Sequence, residues 1–158
     1  MKEKTCCFTG HRKIDTEKYP LVKQRLTETL EQLIKQGYRY FGAGGALGFD
    51  TLAAQTVLSM KAKYPHIKLI LVLPCLSQAK NWPDADQTVY EDIKSKADKV
   101  VYTSQEYTKG CMFKRNRHLV DCSSVCISYL TKDTGGTAYT VKYATQNKVH
   151  VINIADLL

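Results

Sequence analysis

The 158 residues, 44% of them apolar, suffice for one domain that buries roughly two-thirds of its unfolded surface, and no apolar run approaches the ~18 residues of a membrane span. Lysine and arginine outnumber aspartate and glutamate 23 to 15, so the chain carries a formal charge of +8. That balance fits an anionic partner, whether nucleotide, nucleic acid or acidic surface, although much of the excess is lysine at scattered positions such as Lys18, Lys35 and Lys94, as on solvated helix faces.

In chain order, Met1-Lys2-Glu3-Lys4 enters a strand-like run, Thr5 to Thr9, rather than a signal-peptide core, and a cytoplasmic protein is expected. The strand ends in Thr9-Gly10-His11-Arg12. A hydroxyl, a flexible glycine, an imidazole and a planar guanidinium suit phosphate or carboxylate recognition; a capped turn with a solvated Arg12 is the plainer alternative. A helix follows, with Val22, Leu26, Leu30 and Leu33 or Ile34 on one stripe, Pro20 in its first turn and Gly37 placed to end it. Tyr38 to Ala43 reads as the second strand.

The stretch from Gly42 to Asp50 joins that strand to a helical run, Thr51 to Lys61, whose stripe is Leu52, Ala53, Val57 and Met60. Glycines at a strand-to-helix corner leave backbone N–H groups uncovered where the helix dipole favours an anion, which makes Gly44 and Gly45 candidate phosphate binders. The loop is not a Walker A sequence, because no Gly-Lys-Ser/Thr follows. It also fails the dinucleotide fingerprint: Leu47 takes the third glycine position, and the next strand, Ile67 to Leu73, runs into Pro74 without a ribose-binding acid. Asp50 suits the first turn of its helix; functionally it would accept hydrogen bonds from a ribose or order the Gly44-Gly45 turn.

Pro74 to Thr88 forms a long loop, a candidate lid with Gln78 and Trp82 as its ligand contacts; the plainer reading has Trp82 anchoring the loop on the core. Val89, Ile93 and Ala97 mark the next helix, with Asp84 or Asp86 as its N-cap. Lys99 to Thr103 is the fourth strand. In the helix Met112 to Val120, Phe113 and Leu119 or Val120 are expected to face inward, which brings Arg115 and Asn116 to the ligand; a basic surface helix is the alternative. Val125 to Leu130 is a buried strand, followed by the turn Asp133-Thr134-Gly135-Gly136-Thr137 and a helix, Ala138 to Gln146. This second glycine corner adds Gly135, Gly136 and Thr137 to the candidate phosphate site. Val149 to Ile154 closes the chain as a strand.

Of the six cysteines, five read as small core residues of a reducing compartment; Cys75 is the one a ligand cleft would expose. His11, His66, His118 and His150 lack metal-ligand spacing, so no metal site is expected. Strands alternating with helices predict an α/β fold, a single doubly wound, mainly parallel sheet over residues 1–158 with helices on both faces. The ligand is then expected outside the carboxyl ends of the strands, near the topological switch point.

Taken in order, Thr9-Gly10-His11-Arg12, the run from Gly44 to Asp50, the loop from Pro74 to Trp82, Arg115-Asn116 with Asp121, and Gly135-Gly136-Thr137 resemble the SLOG superfamily, and within it the YpsA-like group of stand-alone Rossmann-like proteins. The resemblance covers nearly the whole chain. It implies kinship with nucleotide and nucleotide-sugar binders, and more distantly with the lysine-decarboxylase-like phosphoribohydrolases and the Rossmann domain of the DNA-processing protein A. The phosphoribohydrolases carry Pro-Gly-Gly-x-Gly-Thr-x-x-Glu, and aligning its Gly-Thr with Gly136-Thr137 puts Thr140 where that branch has its glutamate. Threonine cannot serve as a carboxylate base, which leaves Asp50 and Asp133 as candidate catalytic residues.

The leading expectation is a sensor or regulatory protein that binds a nucleotide, nucleotide sugar or ADP-ribose-like small molecule, with no other cofactor and with a homodimer as an option. A nucleotide-processing hydrolase is the alternative, and single-stranded nucleic-acid binding the third.

Overall fold

The computed structural model describes residues 1–158. Strands and helices alternate throughout: β1 (Thr5–Gly10), α1 (Tyr19–Lys35), β2 (Tyr40–Ala43), α2 (Phe49–Met60), β3 (Lys68–Leu73), α3 (Asp84–Lys96), β4 (Lys99–Tyr102), α4 (Cys111–Asp121), β5 (Val125–Tyr129), α5 (Gly136–Gln146) and β6 (His150–Asn153). Every strand pairing is parallel, in the order β4-β3-β2-β1-β5-β6. The chain steps outward from β1 to β4, then crosses back to lay β5 on the other side of β1. The switch point therefore lies between β1 and β5, and their carboxyl ends diverge into a crevice.

Strand alternation divides the core. Cys6 and Phe8 of β1, with Phe41, Leu69, Leu71 and Ile127, pack against α1, α2 and α3. The intervening Cys7, Val72 and Cys126 face Leu119 and Val120 of α4 and Ala144 of α5. This is the doubly wound α/β arrangement, and its helices bury the expected stripes: Val22, Leu26, Leu30, Leu33 and Ile34 on α1, and Leu52, Ala53, Val57 and Met60 on α2. No helix is long and apolar enough to cross a membrane.

Several boundaries differ for physical reasons. β2 starts at Tyr40 rather than Tyr38 because Tyr38 N–H closes on Leu33 and Gly37 N–H on Ile34, the paired bonds of a Schellman motif with Gly37 at φ 100°. At α3, neither Asp84 nor Asp86 is the N-cap; Pro83 holds that position, and both acids sit in the first turn, where the dipole favours them. On α4 the buried residues are Cys111, Arg115, Leu119 and Val120, whereas Phe113 is 40% exposed. Residues 111, 115 and 119 form one i,i+4 row, and Phe113 lies about 200° around the helix from Cys111. Cys75 is fully buried, with its Sγ 3.7 Å from Ser77 Oγ; the exposed cysteine is Cys122, at the C-terminal end of α4.

Candidate functional site

At the switch point a polar cleft of about 290 Å³ is lined by Thr9, Gly10, His11 and Arg12 from β1 and its exit, Ala46 and Asp50 from the first glycine corner, Met112, Arg115 and Asn116 from α4, and Thr134, Gly135, Gly136 and Thr137 from the second corner. The structure thus brings together residues of four segments that the sequence separates by more than a hundred positions.

The two glycine corners differ. At the first, the protein supplies its own anion: Ala46 N–H donates to Asp50 Oδ2 at 3.3 Å. Gly44 and Gly45 do not line the cleft and lie beneath it. A Cβ on Gly44 would stand 2.6 Å from Arg115 Nη1 and 2.9 Å from Asp50 Oδ2, and one on Gly45 2.6 Å from the Leu73 side chain. These glycines permit a close approach of backbone to buried charge, so the expected phosphate cradle is here a packing device.

At the second corner no side chain caps α5, and the N–H groups of Gly136, Thr137 and Ala138 have no partner within the chain. The helix begins two residues earlier than its sequence suggests, so Gly136 and Thr137 belong to the first turn, where unsatisfied donors and the dipole act together. Thr140, at the position of the phosphoribohydrolase glutamate, turns its hydroxyl back onto Gly136 O at 2.9 Å.

Asp50 and Arg115 are the buried charges of the cleft, 6% and 4% exposed. Burial pushes the Asp50 carboxyl up to about 6, against the pull of Arg115, the Ala46 N–H and Arg12. Burial likewise lowers the Arg115 pKa, while Asp50 raises it. Arg115 Nη1 donates to Gly44 O and Nε to Asn116 Oδ1 at 2.7 Å; Nη2 has only the Met112 thioether, 3.8 Å away. Arg12 stands exposed at the rim. His11 Nε2 accepts the Thr131 N–H at 2.9 Å, tying the ends of β1 and β5 together; burial, with Lys132 nearby, lowers its pKa.

Not every candidate reaches the cleft. Asp133 is exposed and outside it. Trp82 packs edge to face on Tyr90 at 5.2 Å, and Gln87 holds its loop by donating to Trp82 O at 2.9 Å. Gln78 is buried under the first corner, donating to Gly44 O at 3.4 Å and accepting from the Tyr90 hydroxyl. The loop is therefore a brace beneath the site rather than a lid over it. Sequence reasoning missed Ala46, Met112 and Thr134 in the lining; only Met112 carried a usable signal, lying three residues before Arg115 on the same helical face. No three His, Cys, Asp or Glu side chains converge as a metal site would require.

A parallel sheet with its cleft at the switch point and a glycine-led helix aimed into it defines a Rossmann-like α/β protein. Within that class the chain belongs to the YspA SLOG family, whose family model (YpsA) matches residues 6–157. It is 29% identical over 136 residues to the SPbeta prophage-derived protein YoqJ of Bacillus subtilis (strain 168), covering 78% of this chain and 80% of that protein. It is 27% identical over 139 residues to a UPF0398 protein of Brevibacillus brevis, covering 84% and 74%. Among solved structures, DNA processing protein A of Streptococcus pneumoniae superposes with a TM-score of 0.70 at 19% identity over 95% of this chain, and that of Helicobacter pylori with 0.67 at 22% over 93%. This chain spans 50% and 63% of those two structures, and the likeness is one of fold.

Proposed function

We propose that the cleft binds a nucleotide or nucleotide-derived small molecule and that the protein acts as a sensor or regulator through that ligand. The observation that carries this reading is the uncapped N-terminus of α5: three N–H groups without internal partners beside a cleft that also holds Arg12 and Arg115. A phosphate would sit on Gly136, Thr137 and Ala138, with Arg12 supplying charge from the rim. Thr9 and Asn116, which also line the cleft, would orient sugar or base. About 290 Å³ lies at the lower end of small-molecule sites, which suits one nucleotide unit or the phosphate–sugar end of a larger ligand. Asp50 is the one carboxylate in the lining, so a hydrolytic role would fall on it.

A thermal-shift panel of nucleoside monophosphates, nucleotide sugars, NAD, ADP-ribose and cyclic dinucleotides tests the reading, because a ligand selective for the folded state raises Tm. A selective shift that Arg12→Ala reduces is the expected result. A flat panel, or a shift that Arg12→Ala leaves unchanged, contradicts it.

A second reading, single-stranded nucleic-acid binding, is favoured by two observations. The Helicobacter pylori DNA processing protein A, which shares this fold, binds single-stranded DNA. The chain also carries a net charge of +8.

A further inference from the structure

Next to the cleft, the adjoining face of α4 carries aromatic surface that the core does not use. Phe113 of α4 and Tyr139 of α5, each 40% exposed, meet edge to face with ring centroids 4.7 Å apart and planes at 69°. They border a groove of about 360 Å³ into which Lys109, Lys114 and Arg117 also project, and no carboxylate lines it. Lys109 and Lys114 enter no ion pair, and Arg117 donates to the Tyr139 hydroxyl at 3.2 Å, its other guanidinium donors having no partner within the chain. Exposed rings beside cations that meet no carboxylate are the elements of a site for a polyanion that has flat aromatic groups along its length.

We infer that this groove binds single-stranded nucleic acid, a base stacking on the Phe113–Tyr139 pair while flanking phosphates meet Lys109, Lys114 and Arg117. The inference rests on the nucleic-acid reading and gives it residues. Groove and cleft share two helices: Met112, Arg115 and Asn116 face the cleft, Phe113, Lys114 and Arg117 the groove, and on α5 Thr137 lines one and Tyr139 the other. A strand crossing the α4–α5 junction thus sets a phosphate on the α5 N-terminus and a neighbouring base on the aromatic pair. An acidic peptide would use the cations and leave the rings idle. Stacking is indifferent to base identity, so binding is nonspecific in sequence and weakens steeply with salt.

The test is fluorescence anisotropy with an oligothymidylate of about twelve nucleotides at several salt concentrations, alongside calorimetry with adenosine monophosphate. Phe113 is exposed and outside the cleft, so Phe113→Ala folds and keeps its mononucleotide affinity. Its oligothymidylate affinity falls about tenfold, and Phe113→Trp restores it. Loss of oligothymidylate binding in Phe113→Ala, in a protein that shows no mononucleotide affinity at all, supports the groove and overturns the cleft reading. The groove proposal is overturned if the wild type does not bind oligothymidylate at low salt, if Phe113→Ala binds it as well as the wild type, or if polyglutamate competes as effectively as unlabelled oligonucleotide.

Discussion

Asp50 accepts the Ala46 N–H at the first glycine corner, and its burial has a consequence for stability. With its folded-state pKa raised from 3.8 to about 6, the folded protein holds this proton more tightly than the unfolded chain does. The stabilisation is full below about pH 4 and is lost as pH rises through about 6, a change of about 3 kcal/mol. Urea denaturation across that range should show the wild type losing stability relative to Asp50→Asn; parallel pH profiles would contradict the assignment. Arg115 faces the converse problem. Truncating it to alanine leaves Asp50 buried without the cation that most favours its charged form and Gly44 O with only the long Gln78 amide bond, at a cost of about 3 kcal/mol that a melting curve would reveal. None of this was readable in the sequence, where Asp50 and Arg115 stand apart and carry no mark of sharing one buried layer above Gly44. What was readable were residue types at strand ends: Thr9 to Arg12 and Gly135 to Thr137 do line the cleft.

Among the elements, periodicity gave the helices and their stripes wherever apolar residues alone decided the buried face. It failed on α4, because the buried row there contains an arginine, and a hydrophobic count assigns inward a phenylalanine that in fact lies exposed. At Trp82, size and aromaticity left a lid and an anchor both open, and the contact with Tyr90 matches the anchor, the plainer of the two readings. Helix ends were better specified. Gly37 lies at φ 100° with open space around the position of a Cβ, so Gly37→Ala tests backbone strain in isolation. A loss of about 1 kcal/mol in chemical denaturation is expected, and an unchanged midpoint would remove the Schellman closure as a determinant of where α1 stops.

For the molecule as a whole, alternation of strand and helix was enough to specify a doubly wound sheet, since parallel strands need crossovers and right-handed crossovers leave few topologies. Sequence could not say which glycine corner lines the cleft with its glycines, because both have the composition of an anion site and only tertiary packing separates them. On the proposed reading the ligand's phosphate would sit on α5, at the β1–β5 switch point, and not on the glycine loop before α2. Amide chemical shifts of the isotopically labelled protein during titration with adenosine monophosphate test that claim most directly. The account predicts that the largest saturable shifts fall on Gly136, Thr137 and Ala138, with Gly44 and Gly45 little changed; shifts centred on the first glycine corner, with the α5 amides unmoved, would contradict it.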